Sequence, residues 1–289
     1  MMLIDTTEED KELWNWIGFL RDERNARRLI ARRIANGFFL KRLPTTLPAL
    51  TLRGVNQAAR RVASSIRQAE ELWHAAGSDG VSPVSQPILL FYGAESLAAA
   101  LIFATFDTPQ HASTHGLRSR QAHRVVEVES SGSGLFGRFH ECYSADNRIY
   151  GTTWTLKQLL SVNIEIYPEF FLAYGSRPHI NLSASHIDPD AELNNQRDYA
   201  KPYVRGGKRL PLHPLDYRFL TLFVISNFAR YEPTDWLHFL EEPPGFATRA
   251  FLSKTYRRFP NLFLDIFWGD RFIFAPLAKL GGPPQLPAV

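Results

Sequence analysis

A chain of 289 residues, 45% hydrophobic and 21% charged, has the composition of a globular protein and is long enough for one large domain or two small ones. Its 21 Phe, 10 Tyr and 6 Trp imply a core of large rings, and the single cysteine, Cys142, excludes an internal disulfide or a cysteine-based zinc cluster. The net charge is only +4, but the excess is uneven and gathers in one early stretch.

The opening, MMLIDTTEEDKELW, is acidic and lacks the apolar run of a signal peptide, so a cytoplasmic location is expected. A first helix is expected over residues 8–20, with Glu8, Glu9 and Asp10 at its positive end and Leu13, Trp14, Ile17 and Leu20 in one stripe. A second, over 23–36, carries a run of arginines. Arg24, Arg27, Arg28, Arg32 and Arg33 form a candidate nucleic-acid face, and a solvated helix surface is the alternative.

The clearest periodicity follows. Val55, Ala58, Ala59, Val62, Ile66, Ala69, Leu72, Trp73 and Ala76 recur at three- and four-residue steps, and Gly77 stops the helix. Residues 87–106 form a helix that is apolar nearly all round and so belongs inside the molecule. It is long enough to span a bilayer, but Glu95 sits at its middle, where a charge costs roughly 2.5–3.5 kcal/mol. The core reading prevails and no membrane is expected. The two helices should pack antiparallel.

Beyond them, a turn carries His111, His115 and Arg118 to His123. HRVVEVE then alternates as a strand, SSGSG reads as a turn, and LFGRFHECY reads as extended. A third strand is expected over 148–154. Thr155 and Gln158 form a capping box for a short helix, and Pro168 with Glu169 opens another that Gly175 closes. One more strand is expected at 179–185 and a long loop from 186 to 213. A strongly apolar helix begins at Pro214 and ends in NFARYEP. Another starts at Trp236 and stops at Pro243–Pro244, and a further one covers 247–259.

The expected architecture is therefore mainly α, α+β overall: a helical part over 1–122, a small β-containing insertion over 123–185, the loop 186–213, a C-terminal helical part over 214–280 packed on the first, and a disordered tail over 281–289.

Several segments together resemble the bacterial YaaC family: the Trp14 helix, RQAEELWHAA at 67–76, PILLFYGAESLAAAL at 87–101, His115-Gly116-Leu117, residues 134–139, TTWTLKQLL at 152–160 and NFARYEPTDW at 227–236. The match runs from about Trp14 to Pro276. It implies a cytoplasmic regulatory or interaction protein linked to purine nucleotide metabolism. The helix pair also resembles the core of HEPN-type helical bundles. That second likeness implies a metal-independent endoribonuclease of a toxin or phage-defence kind, with Arg118 and His123 as the catalytic pair. A third reading is a nucleic-acid-binding protein without catalysis.

Candidate binding residues are Arg67, His115, Arg230, Tyr231 and Trp236. Arg230 suits an anionic ligand, and Tyr231 with Trp236 suits a partner hot spot. The bland alternative is a helix corner, in which Arg230 caps the last carbonyls and Pro233 stops the helix. Gly132-Ser-Gly134-Leu-Phe-Gly137 matches GxGxxG but is expected between two strands, as a hairpin turn. His111 and His115 fall short of a metal site, and no P-loop, GxSxG, HExxH or CxxC is present, so neither a metal nor another cofactor is expected. The expected partners are a protein, such as a nucleotide-metabolism enzyme, or RNA, and a homodimer is allowed for.

Overall fold

A computed structural model of the chain describes residues 2–5, 8–36, 48–107, 114–122, 125–131, 134–144, 151–176, 203–204, 208–209, 213–269 and 272–275. These residues are mainly helical, with a small antiparallel sheet inserted between helices.

The alanine-rich periodicity and the greasy run become α3 (Val55–Ala76) and α4 (Ser85–Thr105), preceded by α1 (Glu9–Gly18) and α2 (Glu23–Ala35). A 3-10 turn at Phe19–Arg21 completes the stripe of α1 through Leu20. α3 and α4 lie antiparallel along their length. Gln86 Nε2 at the start of α4 donates to the Ala76 carbonyl at the end of α3, while Arg61 near the start of α3 covers the Phe103 ring near the end of α4. Midway, Gly93 leaves the room that Trp73 fills: a Cβ there would stand 2.7 Å from Cε3 of the indole.

α4 meets α3 on one side and α8 (Pro214–Tyr231) on another, which explains its lack of any polar face. It is long and apolar enough to cross a membrane, yet 78% of its most apolar stretch is buried inside the protein.

Helix α9 (Pro233–Glu241) follows α8 as expected. The next helix differs from expectation. α10 runs unbroken from Pro243 to Trp268, so the proline pair begins it and Pro260 lies within it. An interior proline costs about 3 kcal/mol of helix stability. Here Pro260 is buried in a row with Phe259, Phe263, Leu264 and Phe267, and core packing overrides the local penalty. α10 reaches α1, α4, α8 and α9, and one cluster of buried residues extends from Leu13 to Phe267. The short β1 (Met2–Asp5) pairs in parallel with β7 (Phe272–Ala275), joining the two ends of the chain.

The inserted sheet is β2 (Leu117–Ala122), β3 (Val125–Ser130) and β4 (Thr153–Thr155), all antiparallel. Residues 117–122 are thus a strand where a turn was expected. LFGRFHE is also helical rather than extended: α5 covers Gly134–Glu141 and buries Leu135, Phe136 and Phe139. The Thr155–Gln158 capping box forms in both directions and opens α6 (Leu156–Ser161), and α7 (Tyr167–Tyr174) ends at Gly175 in the left-handed conformation. Within the expected loop, β5 (Tyr203–Val204) pairs with β6 (Lys208–Arg209). The strand expected at 179–185 and the tail at 281–289 lie outside the described residues.

Candidate ligand cleft

The last turn of α8 changes character, from a buried apolar rod to Ser226, Asn227, Arg230 and Tyr231, with Glu232 just after it. This turn faces the first half of α4. Between them, closed on the third side by the β2–β3 hairpin, is a cleft of about 410 Å³. Ile88, Phe91, Phe223, Phe228 and Val126 form its apolar walls. Tyr92, His115, Ser119, Asn227, Arg230 and Glu232 supply its polar groups, and Tyr231 stands at 65% exposure on the rim. A concavity of a few hundred Å³ in which aromatic walls meet convergent polar groups is suited to a small molecule.

Arg230 Nη1 donates to the Tyr92 hydroxyl at 2.9 Å, and its guanidinium lies over the Tyr231 ring at 5.2 Å. It is therefore oriented, yet it keeps N–H groups for a ligand. The His115 ring packs against Phe91 at 5.5 Å and Phe223 at 5.8 Å. Its Nδ1 is buried, 3.5 Å from Glu95 Oε1, although the side chain as a whole is 38% exposed. The accessible edge of the imidazole is thus the Nε2 side. Glu95, which sat unexplained in the middle of an apolar helix, backs this histidine.

The glycine motif builds the His115 wall. Contrary to expectation, the described part of the motif, Gly134 to Gly137, opens a helix, as the later part of a dinucleotide fingerprint does, instead of lying in a turn between two strands. Two of the N–H groups in the first turn of that helix are nonetheless spent within the protein. Leu135 N donates to the Thr114 carbonyl and Phe136 N to the His115 carbonyl, each at 2.9 Å, and Ser131 N and Oγ hold the Gly116 carbonyl. Gly134 has φ +82°, and a Cβ on it would stand 2.6 Å from Gly116 N and Thr114 O. Backbone is held against backbone here. The motif's task is to fix residues 114–116, and with them His115.

The other sequence candidates fall elsewhere. Trp236 is no surface hot spot: it is fully buried, donates from Nε1 to the Pro83 carbonyl at 2.9 Å and stacks on Phe239. Arg67 is exposed on α3 and donates to the Arg21 carbonyl at 2.8 Å, which caps the 3-10 turn. Arg118 is exposed on β2, in register with Glu129. Strand side chains alternate in direction, so with Ser119 on the cleft Arg118 points to the opposite face of the sheet. His123, the proposed second member of that pair, lies outside the described residues, as does His111. Arg24, Arg27, Arg28 and Arg32 are exposed, but Arg33 is buried. Arg33 donates from Nη1 to the Phe267 carbonyl and covers the Phe267 ring, and burial pulls its guanidinium down to about 9. No group of three or more His, Cys, Asp or Glu residues among the described residues is arranged to hold a metal ion.

A polar cluster that sequence reasoning missed lies at the other end of α8. Asp216 is fully buried and its Oδ1 accepts from the Tyr143 hydroxyl at 2.6 Å and meets His140 Nδ1 at 3.0 Å. Its Oδ2 accepts from the His213 backbone N–H at 2.6 Å, while His213 Nδ1 accepts from Leu215 N at 3.2 Å. Burial works to raise the Asp216 carboxyl, but His140, His213 and the Tyr143 hydroxyl outweigh it and hold it below the usual range. Burial pulls His213 down to about 4. Next along α8, buried Arg218 pairs with Glu165 at 2.7 Å and donates to the Tyr217 hydroxyl. With Asp216 and His140 at zero exposure, no substrate reaches this cluster, and it serves to anchor α8 on α5. His-Pro-x-Asp at 213–216, a proline at the first helical position with an acceptor two residues on, was its visible signal.

The described residues define a mainly α protein with a cleft walled by two helices and a hairpin. The chain matches the model of the YaaC-like protein family over residues 51–197 and 185–267, and it belongs to that family. No curated protein and no solved structure matches it.

Proposed function

We propose that this is a cytoplasmic regulatory module that binds a purine nucleotide in the α4–α8 cleft and acts through a protein partner, an enzyme of nucleotide metabolism. One observation carries the reading: Arg230, held by Tyr92, and the Nε2 edge of His115 line a cleft of about 410 Å³ that is also walled by Phe91, Phe223 and Phe228, with Tyr231 at its rim. Arginine suits a phosphate, the aromatic walls suit a flat base, and Glu232 offers an acceptor to sugar hydroxyls. The purine class follows from the resemblance to the YaaC family.

Calorimetric titration of the purified chain with purine mono-, di- and triphosphates tests it. Binding is expected for at least one, with Arg230→Gln weakening it about 10- to 100-fold, the range for losing a charged hydrogen bond. No heat with any purine nucleotide overturns the reading.

A further inference from the structure

We propose that the exposed face of α2 is a second binding site, for single-stranded nucleic acid, independent of the cleft. The helix is fixed before any ligand arrives. The Asp22 side chain caps it by accepting from the backbone N–H groups of Arg24 at 2.7 Å and Asn25 at 3.1 Å, and Ala26, Leu29 and Ile30 are buried on the side packed against α3. The outer side is left with Arg24, Arg28 and Arg32, four residues apart on one line, and Arg27 beside them. At 1.5 Å per residue the row is about 12 Å long.

These four guanidinium groups form no ion pair among the described residues. The carboxylates around them are already engaged: Glu23 with Arg60 at 3.5 Å, Glu70 with Arg21 at 2.9 Å, and Asp22 with its own helix. The surface therefore presents cation with its local counter-charge used up. A stacked strand carries one phosphate per 3.4 Å, so the row matches about three to four phosphates.

The second feature is Phe19, 45% exposed in the 3-10 turn that precedes α2. The Asn25 amide donates to its carbonyl at 3.2 Å, and its ring is propped by Trp268 at 5.9 Å. A supported aromatic ring close in sequence to a cationic track suits a single strand, which is held by stacking bases and tracking the backbone. An acidic membrane is the poorer match. A helix that lies in a bilayer inserts an apolar flank, and the apolar residues of α2 are turned into the protein.

The test uses the full chain and a fluorescent 12-nucleotide single strand, as RNA and as DNA, with the matching duplex and acidic phospholipid vesicles as competitors. The affinity for the single strand is expected to fall about 20- to 50-fold between 50 and 200 mM salt, as for three to four phosphates. Replacing Arg24, Arg27, Arg28 and Arg32 together by Gln should abolish that salt dependence while leaving the circular dichroism and melting temperature unchanged. Phe19→Ala should weaken binding at least fivefold and leave the salt slope as it was. Equal affinity for RNA and DNA supports backbone recognition, and a preference for RNA adds contact with the 2′-hydroxyl. The proposal is overturned by undiminished binding in the fourfold variant, by equal or tighter binding of the duplex, or by binding of vesicles alone. Nucleotide binding in the cleft is measured separately and stands or falls without it.

Discussion

Arg230 and His115 both line the cleft, and each is held from behind: Arg230 by the Tyr92 hydroxyl, His115 by two phenylalanine rings with Glu95 beside its buried nitrogen. Oriented side chains lose little freedom when a ligand binds, so small changes in their support matter. Tyr92→Phe keeps the ring and removes the hydroxyl. A several-fold loss of nucleotide affinity with unchanged melting temperature is expected, read by calorimetry.

A second test at this scale concerns His213. An unfolded chain takes up a proton there near pH 6.5, whereas the folded chain resists it down to about 4. Between those values the unfolded state binds more protons, so stability falls as the pH drops, by about 3 kcal/mol over the window. The depressed Asp216 carboxyl acts in the same sense: its contribution is present above the ordinary carboxylate range and is lost as the pH falls through its lowered value. Denaturant midpoints measured from pH 7 to 4 should decline. His213→Asn, which can still accept from Leu215 N, should flatten that decline.

The elements divide into those whose own sequence determines them and those fixed by packing. α3 and α4 were legible because Val55 to Ala76 carries one apolar stripe and the following helix carries almost nothing else. α5 was not. Its glycines and aromatic residues alternate well enough for a strand, and the close packing of Gly134 on Thr114 and Gly116 at the helix start is a contact no local pattern shows. Two glycines separate local strain from this contact. Gly151 has φ +72° with open space around it, while Gly134 has a similar φ and backbone at 2.6 Å. Gly151→Ala should cost about 1–2 kcal/mol, the left-handed penalty alone. Gly134→Ala should cost more than that and loosen His115, as thermal melts and nucleotide titration would show. Among the aromatic residues of the α8–α9 corner, Trp236→Ala should lose about 3–5 kcal/mol of stability. Tyr231→Ala should stay within about 0.5 kcal/mol.

In the molecule as a whole, α4 is the shared wall. Its outer face closes the core against α3, and Ile88, Phe91 and Tyr92 line the cleft beside α8. The mainly α architecture and its β insertion were readable from periodicity. Half of the cleft was readable too, since His115, Arg230 and Tyr231 stood at helix and loop ends. Tyr92 and Asn227 were hidden because nothing local distinguishes them. They become neighbours only once α8, more than a hundred residues later, packs against α4. Trp236 and Arg33 misled for the converse reason: tertiary packing buried residue types that a linear reading assigns to the surface. Pro260 belongs with them, since a helix long enough to span the core absorbs an interior proline.

Hydrogen exchange of the backbone amides, with and without a saturating purine nucleotide, tests the central claim most directly. Added protection should appear in three separate stretches, around Ile88–Tyr92, His115–Ser119 and Ser226–Glu232, and should vanish in Arg230→Gln. Protection confined to other parts of the chain, or a nucleotide that leaves every amide unchanged, would contradict the cleft as the site.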